Sequence, residues 1–299
     1  MNHKLRLLMI GCVRFSQSML EELVSMESVE ICGIITKKRS DLNTDFVDLA
    51  TSPGINQVPV YHSTNNDHET LVLWLKERAP DIVFCLGWSS LLKPAVLSIP
   101  RLGVVGYHPS LLPRNRGRHP IIWALALGLK ETGSTFFLMD EGADSGPILS
   151  QLRVDILDED DAETLYTKLE SLARQQIHHV VKLLSAGTLK PAPQNHEQAT
   201  YWRKRTKVDG CIDWRMTAEG IHNLVRALAA PYPGAHFECY GGEIKIWKTR
   251  LGNVGLRDIE PGYVLAVNGT EITVQCGAGT TLVLERHDFK KTLSVGEYL

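Results

Sequence analysis

The stretch that decides the fold runs from Leu102 to Gln151, L-G-V-V-G-Y-H-P-S-L-L-P-R-N-R-G-R-H-P-I-I-W-A-L-A-L-G-L-K-E-T-G-S-T-F-F-L-M-D-E-G-A-D-S-G-P-I-L-S-Q. It opens with an apolar run, Leu102 to Tyr107, that ends on His108 and Pro109. Such a run reads as a buried strand carrying an imidazole at its carboxyl end. Proline cannot continue a central strand, so the chain turns at Pro109. A loop rich in Pro and Arg follows, then a helix expected over about Pro120–Leu129. A second apolar strand, Ser134–Met139, leads into Asp140-Glu141-Gly142-Ala143-Asp144-Ser145-Gly146. Two strand ends, one with a histidine and one with acidic residues, thus flank one crossover. In an open parallel sheet such ends face the same crevice.

Toward the amino terminus the pattern alternates. Strands are expected at Leu5–Ile10, Val29–Thr36, Val58–Tyr61 and Asp81–Leu86, with helices over Ser16–Met26, Asp45–Ala50 and Asp67–Arg78. That alternation argues an α/β fold built on a doubly wound, mostly parallel sheet. Gly11 stands alone between the first strand and helix, so neither a G-x-G-x-x-G fingerprint nor a phosphate-binding P-loop is present. Beyond the central stretch, Pro147 opens a strand to Ile156. A long helix over Asp161–Ser185 follows, with Leu165, Leu169, Leu172, Ile177, Val180, Val181 and Leu184 as its buried stripe. From Gly187 the texture becomes Pro-rich and polar. The expected division is a first domain over 1–190, a linker over 191–205 and a β-rich second domain over 206–299. Within the second domain a single helix, Thr217–Leu228, precedes alternating strands with hairpin signals at Gly241-Gly242 and Asn268-Gly269. A small antiparallel barrel is the expected result.

Composition narrows the class of protein. The chain has 299 residues, 43% hydrophobic and 22% charged, ordinary for a globular protein of two domains. A net charge of −2 points to neither nucleic acid nor an anionic membrane. No apolar run approaches the roughly 18–20 residues of a membrane span. The first strand is followed by Glu21 and Glu22, where a signal peptide would place small residues, so the expected compartment is the cytoplasm. Cys12, Cys32, Cys85, Cys211, Cys239 and Cys276 form no C-x-x-C; most sit in apolar runs, which reads as buried, reduced thiols. His178 and His179, adjacent on a helix, point to different faces, and no metal site is expected.

Two motifs carry a resemblance. H-P-S-L-L-P-x-x-R-G, ending at Gly117, and M-D-x-G-x-D-S-G, beginning at Met139, together resemble the tetrahydrofolate-dependent formyltransferase family. Its members include methionyl-tRNA formyltransferase and the sugar N-formyltransferases. The run G-C-I-D-W, then R-A-L-A-A-P-Y-P-G-A, is similar to that family's carboxyl-terminal domain, itself similar to an oligonucleotide-binding barrel. The resemblance implies acyl transfer of a formyl group from N10-formyltetrahydrofolate to an amine. Such a site needs a donor for the developing oxyanion and a group that takes the amine proton. The family's active site is an Asn-His-Asp trio, whose His matches His108 and whose Asp matches Asp144. Its Asn position is Gly106 here. Side chains at i and i+2 of a strand share a face, so an Asn at 106 would aim where His108 aims. A glycine there is expected to mark space filled by substrate, water or another side chain such as Asn115.

The resemblance also implies a folate pocket near Ser90, Leu91, Leu92, Arg118 and the loop Asp140, Glu141, Gly142, Ala143. The amine substrate is expected around Trp88, Gly106, Ser110 and Asn115. The motif R-G-R-H-P-I-I-W-A-L and the Gly87-Trp88 turn resemble members that modify a nucleotide-linked amino sugar, of the kind used for bacterial surface glycans. The partner so implied is a small-molecule nucleotide sugar rather than nucleic acid, and the assembly a homodimer. Methionyl-tRNA formyltransferase is the alternative, and a non-catalytic folate- or sugar-nucleotide-binding relative a second. Between Thr206 and Leu299, ten Lys and Arg stand against eleven Asp and Glu, so the second domain lacks the basic surface a tRNA requires.

Overall fold

The computed structural model describes residues 4–40, 44–64 and 68–299. Asp67, where the sequence starts a helix, lies outside them. Their compact units do not follow one cut along the chain. The first holds residues up to Gly117, Thr132–Val154 and Thr167–Trp202; the second holds Arg118–Glu131, Asp155–Tyr166 and Arg203–Leu299.

The elements in chain order are β1 (Leu5–Ile10), α1 (Arg14–Ser25), β2 (Val29–Thr36), β3 (Val60–His62), α2 (His68–Arg78), β4 (Ile82–Cys85), α3 (Pro94–Leu97), β5 (Val104–His108), β6 (Arg116–Gly117), α4 (Pro120–Ala126), β7 (Glu131–Leu138), β8 (Ile148–Asp155), α5 (Ala162–Ser185), β9 (Tyr201–Trp202) and α6 (Ala218–Ala227). Five strands follow: β10 (Ala235–Cys239), β11 (Gly242–Leu251), β12 (Val264–Asn268), β13 (Glu271–Gln275) and β14 (Thr281–His287).

The first unit is built on a seven-stranded sheet in the order β3-β2-β1-β4-β5-β7-β8. The pairs from β3 to β5 are parallel. β1 and β4 sit at the centre and are apolar almost throughout, as strands covered on both faces must be. Leu8, Ile10, Ile35, Leu75, Val83 and Val104 form one core cluster, with Trp88, Leu92 and Met139 packed against it. The doubly wound reading is borne out, but one inference within it is not. β7 runs antiparallel to β5, with His108 opposite Thr135 and Val105 opposite Leu138. The two strand ends therefore lie at opposite ends of the pair, and Asp144 reaches His108 only because the 139–147 loop doubles back.

A second expectation fails at Asp45–Ala50. Asp45 and Val47 bond by their backbones to Arg14 and Cys12, which holds the segment extended. Only a 3₁₀ turn, Leu49–Thr51, remains of the expected helix, capped by the Asp48 carboxylate.

In the second unit the five strands form an antiparallel sheet in the order β10-β11-β14-β13-β12. α6 buries Ile221, Leu224 and Val225 and packs against α4 and β11. The β10–β11 hairpin turns at Tyr240-Gly241, both with positive φ, one position before the Gly-Gly pair, because Cys239 pairs with Gly242. Among the described residues no helix is long and apolar enough to cross a membrane.

Candidate active site

His108 ends β5, and its side chain is 6% exposed. Tyr107 beside it points the other way, stacks on Phe15 at 4.3 Å and meets the Ser134 hydroxyl at 3.0 Å. Ser134 Oγ donates to Gln176 Oε1 at 2.6 Å, and Gln176 donates to Ser134 O and Ser150 Oγ. β5 is thus pinned behind the site, and burial pushes the Tyr107 phenol well above its usual range.

Both ring nitrogens of His108 face oxygen. Nε2 lies 2.7 Å from the Asn115 carbonyl oxygen, and Nδ1 lies 3.5 Å from Asp144 Oδ2. A carbonyl can only accept, so Nε2 carries a hydrogen. Nδ1 is left facing the Asp144 carboxylate. Asp144 Oδ2 also accepts the Gly117 N–H at 2.8 Å. Asp144 and Asn115 both take left-handed backbone, φ 53° and 63°. Such conformations cost about 1–3 kcal/mol for a non-glycine residue and persist where the surroundings enforce them.

The enforcing segment is 194–202. β9 pairs with β6 in parallel, Arg116 opposite Tyr201 and Gly117 opposite Trp202. A Cβ at Gly117 would stand 2.3 Å from the Trp202 carbonyl oxygen, at a φ of 105°, so only glycine lets the two segments meet. Asn115 N–H donates to Thr200 Oγ1, and Thr200 Oγ1 donates to Asn115 Oδ1. The Asn115 side chain is therefore directed to Thr200. Arg116, 1% exposed, donates to Gln194 Oε1 and the Tyr201 hydroxyl and meets His196 Nδ1 at 3.3 Å. Sequence reading places none of Arg116, Gln194, Thr200 and Tyr201 in the site. The polar run 194–198 and the Thr200-Tyr201-Trp202 alternation carry no sign of a pairing some 85 residues back.

Gly106 is enclosed by protein. A Cβ there would meet Phe137 Cζ at 2.8 Å, Phe137 Cε1 at 2.9 Å and Met139 Cγ at 3.0 Å. Asn115 is not among these neighbours. Ser110 is fully buried and its hydroxyl donates to the Arg114 carbonyl at 3.0 Å, so it shapes the turn after β5 rather than offering a free hydroxyl.

Trp88 and Leu92 are partly buried against the sheet core, with Lys37 Nζ 4.8 Å from the centre of the Trp88 ring. Ser90 and Leu91 beside them are exposed, Leu91 at 70%. On the 140–144 loop, Asp140 Oδ1 accepts from Gly142 N–H and Ser145 Oγ, while Glu141, Gly142 and Ala143 are exposed. No peptide group of residues 140–143 enters a backbone hydrogen bond among the described residues. Arg118 falls in the second unit.

Comparison with known proteins places the chain in a family. The Formyl transferase family model matches residues 5–181 and the Formyl transferase C-terminal domain model residues 204–299. A methionyl-tRNA formyltransferase of Acetivibrio thermocellus is 32% identical over 300 residues, 99% of this chain and 96% of that protein. One from Caldanaerobacter subterraneus subsp. tengcongensis is 34% identical over 307 residues, again 99% and 96%. Among solved structures, the sugar 3N-formyl transferase WlaRD superposes with a TM-score of 0.70 at 18% identity, over 94% of this chain and 97% of that one. An N-formyltransferase from Helicobacter canadensis, solved with folinic acid and dTDP-3-aminofucose, gives 0.70 at 20% identity, over 94% and 98%. At those identities the two structures speak for the fold alone. Matched by the family's models in both halves and by full-length relatives, this chain belongs to the formyl transferase family.

Proposed function

We propose that this formyltransferase moves a formyl group from N10-formyltetrahydrofolate to the amino group of a nucleotide-linked amino sugar. One observation carries the choice of acceptor. In the second unit many cations are already engaged by neighbouring carboxylates: Arg203 by Asp209, Lys207 by Glu243, Arg215 by Asp213, Lys248 and Arg250 by Glu285, and Lys291 by Glu297. A polyanion such as tRNA is held by a surplus of surface cations, and here each of these cations has a carboxylate beside it that offsets its charge. A small nucleotide sugar needs only a few such contacts.

Within this reading Ser90, Leu91 and Leu92, beside Trp88, together with the peptide edges of 140–143, bind the donor. The donor, when bound, supplies a formyl carbon attached to nitrogen. Asp144 takes the proton of the attacking amine, directly or through Nδ1 of His108, and the pair returns a proton to the donor nitrogen as its bond to the formyl carbon breaks, so that tetrahydrofolate leaves as a neutral amine. The Nε2–H of His108 exchanges the Asn115 carbonyl for the developing negative oxygen, which is where a positioned donor contributes most. The carboxyl-terminal domain is read as an assembly or lid element in a homodimer.

The full-length likeness to methionyl-tRNA formyltransferases supports a second reading, Met-tRNA as the acceptor. Purified protein with 10-formyltetrahydrofolate, offered a panel of dTDP-, UDP- and GDP-linked amino sugars beside charged Met-tRNA, separates the two. Formylation of a sugar nucleotide, with Met-tRNA untouched, supports the first; the reverse refutes it.

A further inference from the structure

We propose that Gln194 is a positioning residue for the transfer, setting the approach of Asp144 to His108. Its side chain is saturated. Nε2 donates to the Asp144 carbonyl at 2.9 Å and the Gly146 carbonyl at 2.6 Å, while Oε1 accepts from Arg116 Nε at 3.2 Å and Nη2 at 2.7 Å. Carbonyls only accept and a guanidinium only donates, so these four bonds fix the amide in one orientation. The residue is 6% exposed, leaving little water to replace a lost bond.

The connections run to both halves of the reacting pair. On one side Gln194 holds the backbone of Asp144, whose left-handed φ of 53° requires support from outside the residue. On the other it holds the side chain of Arg116. The residues flanking that arginine are Asn115, whose carbonyl receives His108 Nε2, and Gly117, whose N–H binds Asp144 Oδ2. One amide thus ties the loop that presents the carboxylate to the loop that orients the imidazole. A carboxylate at 194 would keep an acceptor for Arg116, lose both donors and turn negative oxygens toward two carbonyls. The role requires an amide specifically.

The inference rests on the reading of His108 and Asp144 as the reacting pair, so its test includes a readout that needs no substrate. Hydrogen exchange of the Gly117 amide, followed by NMR in the full chain, reports its bond to Asp144. In Gln194→Glu and Gln194→Ala that amide should exchange about tenfold faster or more, while amides in β4 such as Phe84 keep their protection. With the amine found in the acceptor panel, turnover should fall about tenfold or more and the KM for 10-formyltetrahydrofolate stay within about twofold. Unchanged Gly117 exchange in the folded variants overturns the proposal. So does equal loss of protection at Phe84 in both variants, which would make Gln194 a general stabiliser. If Gly117 responds as expected but Asp144→Asn keeps full turnover, the fault lies in the assignment of the reacting pair instead.

Discussion

Replacing Gly106 by alanine tests how the space left by the family's asparagine is used. The new Cβ would lie 2.8 and 2.9 Å from two ring carbons of Phe137 and 3.0 Å from Met139 Cγ. Comfortable carbon–carbon contact lies near ~3.5–4.0 Å. Phe137 is 2% exposed and directly opposite Gly106 in the β5–β7 ladder, so its ring has nowhere to go without moving a strand. Overpacking of this kind costs about 1–3 kcal/mol. In a unit of this size that lowers the melting temperature by about 2–12 °C. Gly106→Asn should cost more, because its amide would sit against a phenyl ring and a thioether; an unsatisfied polar group adds about 1–3 kcal/mol. Restoring the asparagine should therefore damage stability rather than raise turnover. Trimming the obstacle should relieve the strain: in a double-mutant cycle, Gly106→Ala with Phe137→Leu should show a favourable coupling of at least about 0.5 kcal/mol. Thermal melts of the four proteins provide the measurement. A Gly106→Ala protein that melts at or above its parent would refute the packing argument.

Further outcomes follow from the same geometry. His108→Ala should lower turnover about 10²–10⁴-fold. Its affinity for 5-formyltetrahydrofolate, titrated by calorimetry, should stay within about twofold, and loss of binding with a near-normal rate would remove His108 from the chemistry. Asp144→Asn keeps an oxygen for the Gly117 N–H and tolerates left-handed backbone, so its melting temperature should hold while turnover falls about 100-fold or more. A variant that keeps a third of the parent rate would contradict the proton-accepting role. Burial pushes the Cys32 thiol up to about 11 and the Cys276 thiol up to about 12. At pH 8 each is then ionised in fewer than about one molecule in a thousand. A native thiol titration should modify exposed Cys211 and spare those two; their fast labelling at pH 8, not only near pH 11, would show that the environment is wrong.

Much of the scaffold was legible because burial on both faces writes itself into sequence. β1 and β4 are apolar nearly throughout, and β5 stops at His108 where Pro109 forces a turn. The direction of β7 was not legible: Ser134–Met139 reads alike as a parallel or an antiparallel strand, and only its register with β5 decides. Asp45–Ala50 misled because its backbone finds partners at Cys12 and Arg14, outside its own segment. His108 and Asp144 stood out through local motifs. Their supports did not, since Gln194 and Thr200 act across roughly 50 to 85 residues of chain through single side-chain bonds. Gly106 was conspicuous as an absent amide, yet the ring that fills its place belongs to the facing strand.

The most direct test is formyl transfer itself, measured as product mass. Purified protein is incubated with 10-formyltetrahydrofolate and an equimolar mixture of nucleotide-linked amino sugars and charged Met-tRNA, and each acceptor is weighed afterwards. The expected result is one formyl group gained on a sugar nucleotide, none on Met-tRNA, and no gain with His108→Ala. Formylated Met-tRNA with unmodified sugars, or undiminished transfer by His108→Ala, would contradict the proposed acceptor or the proposed role of His108.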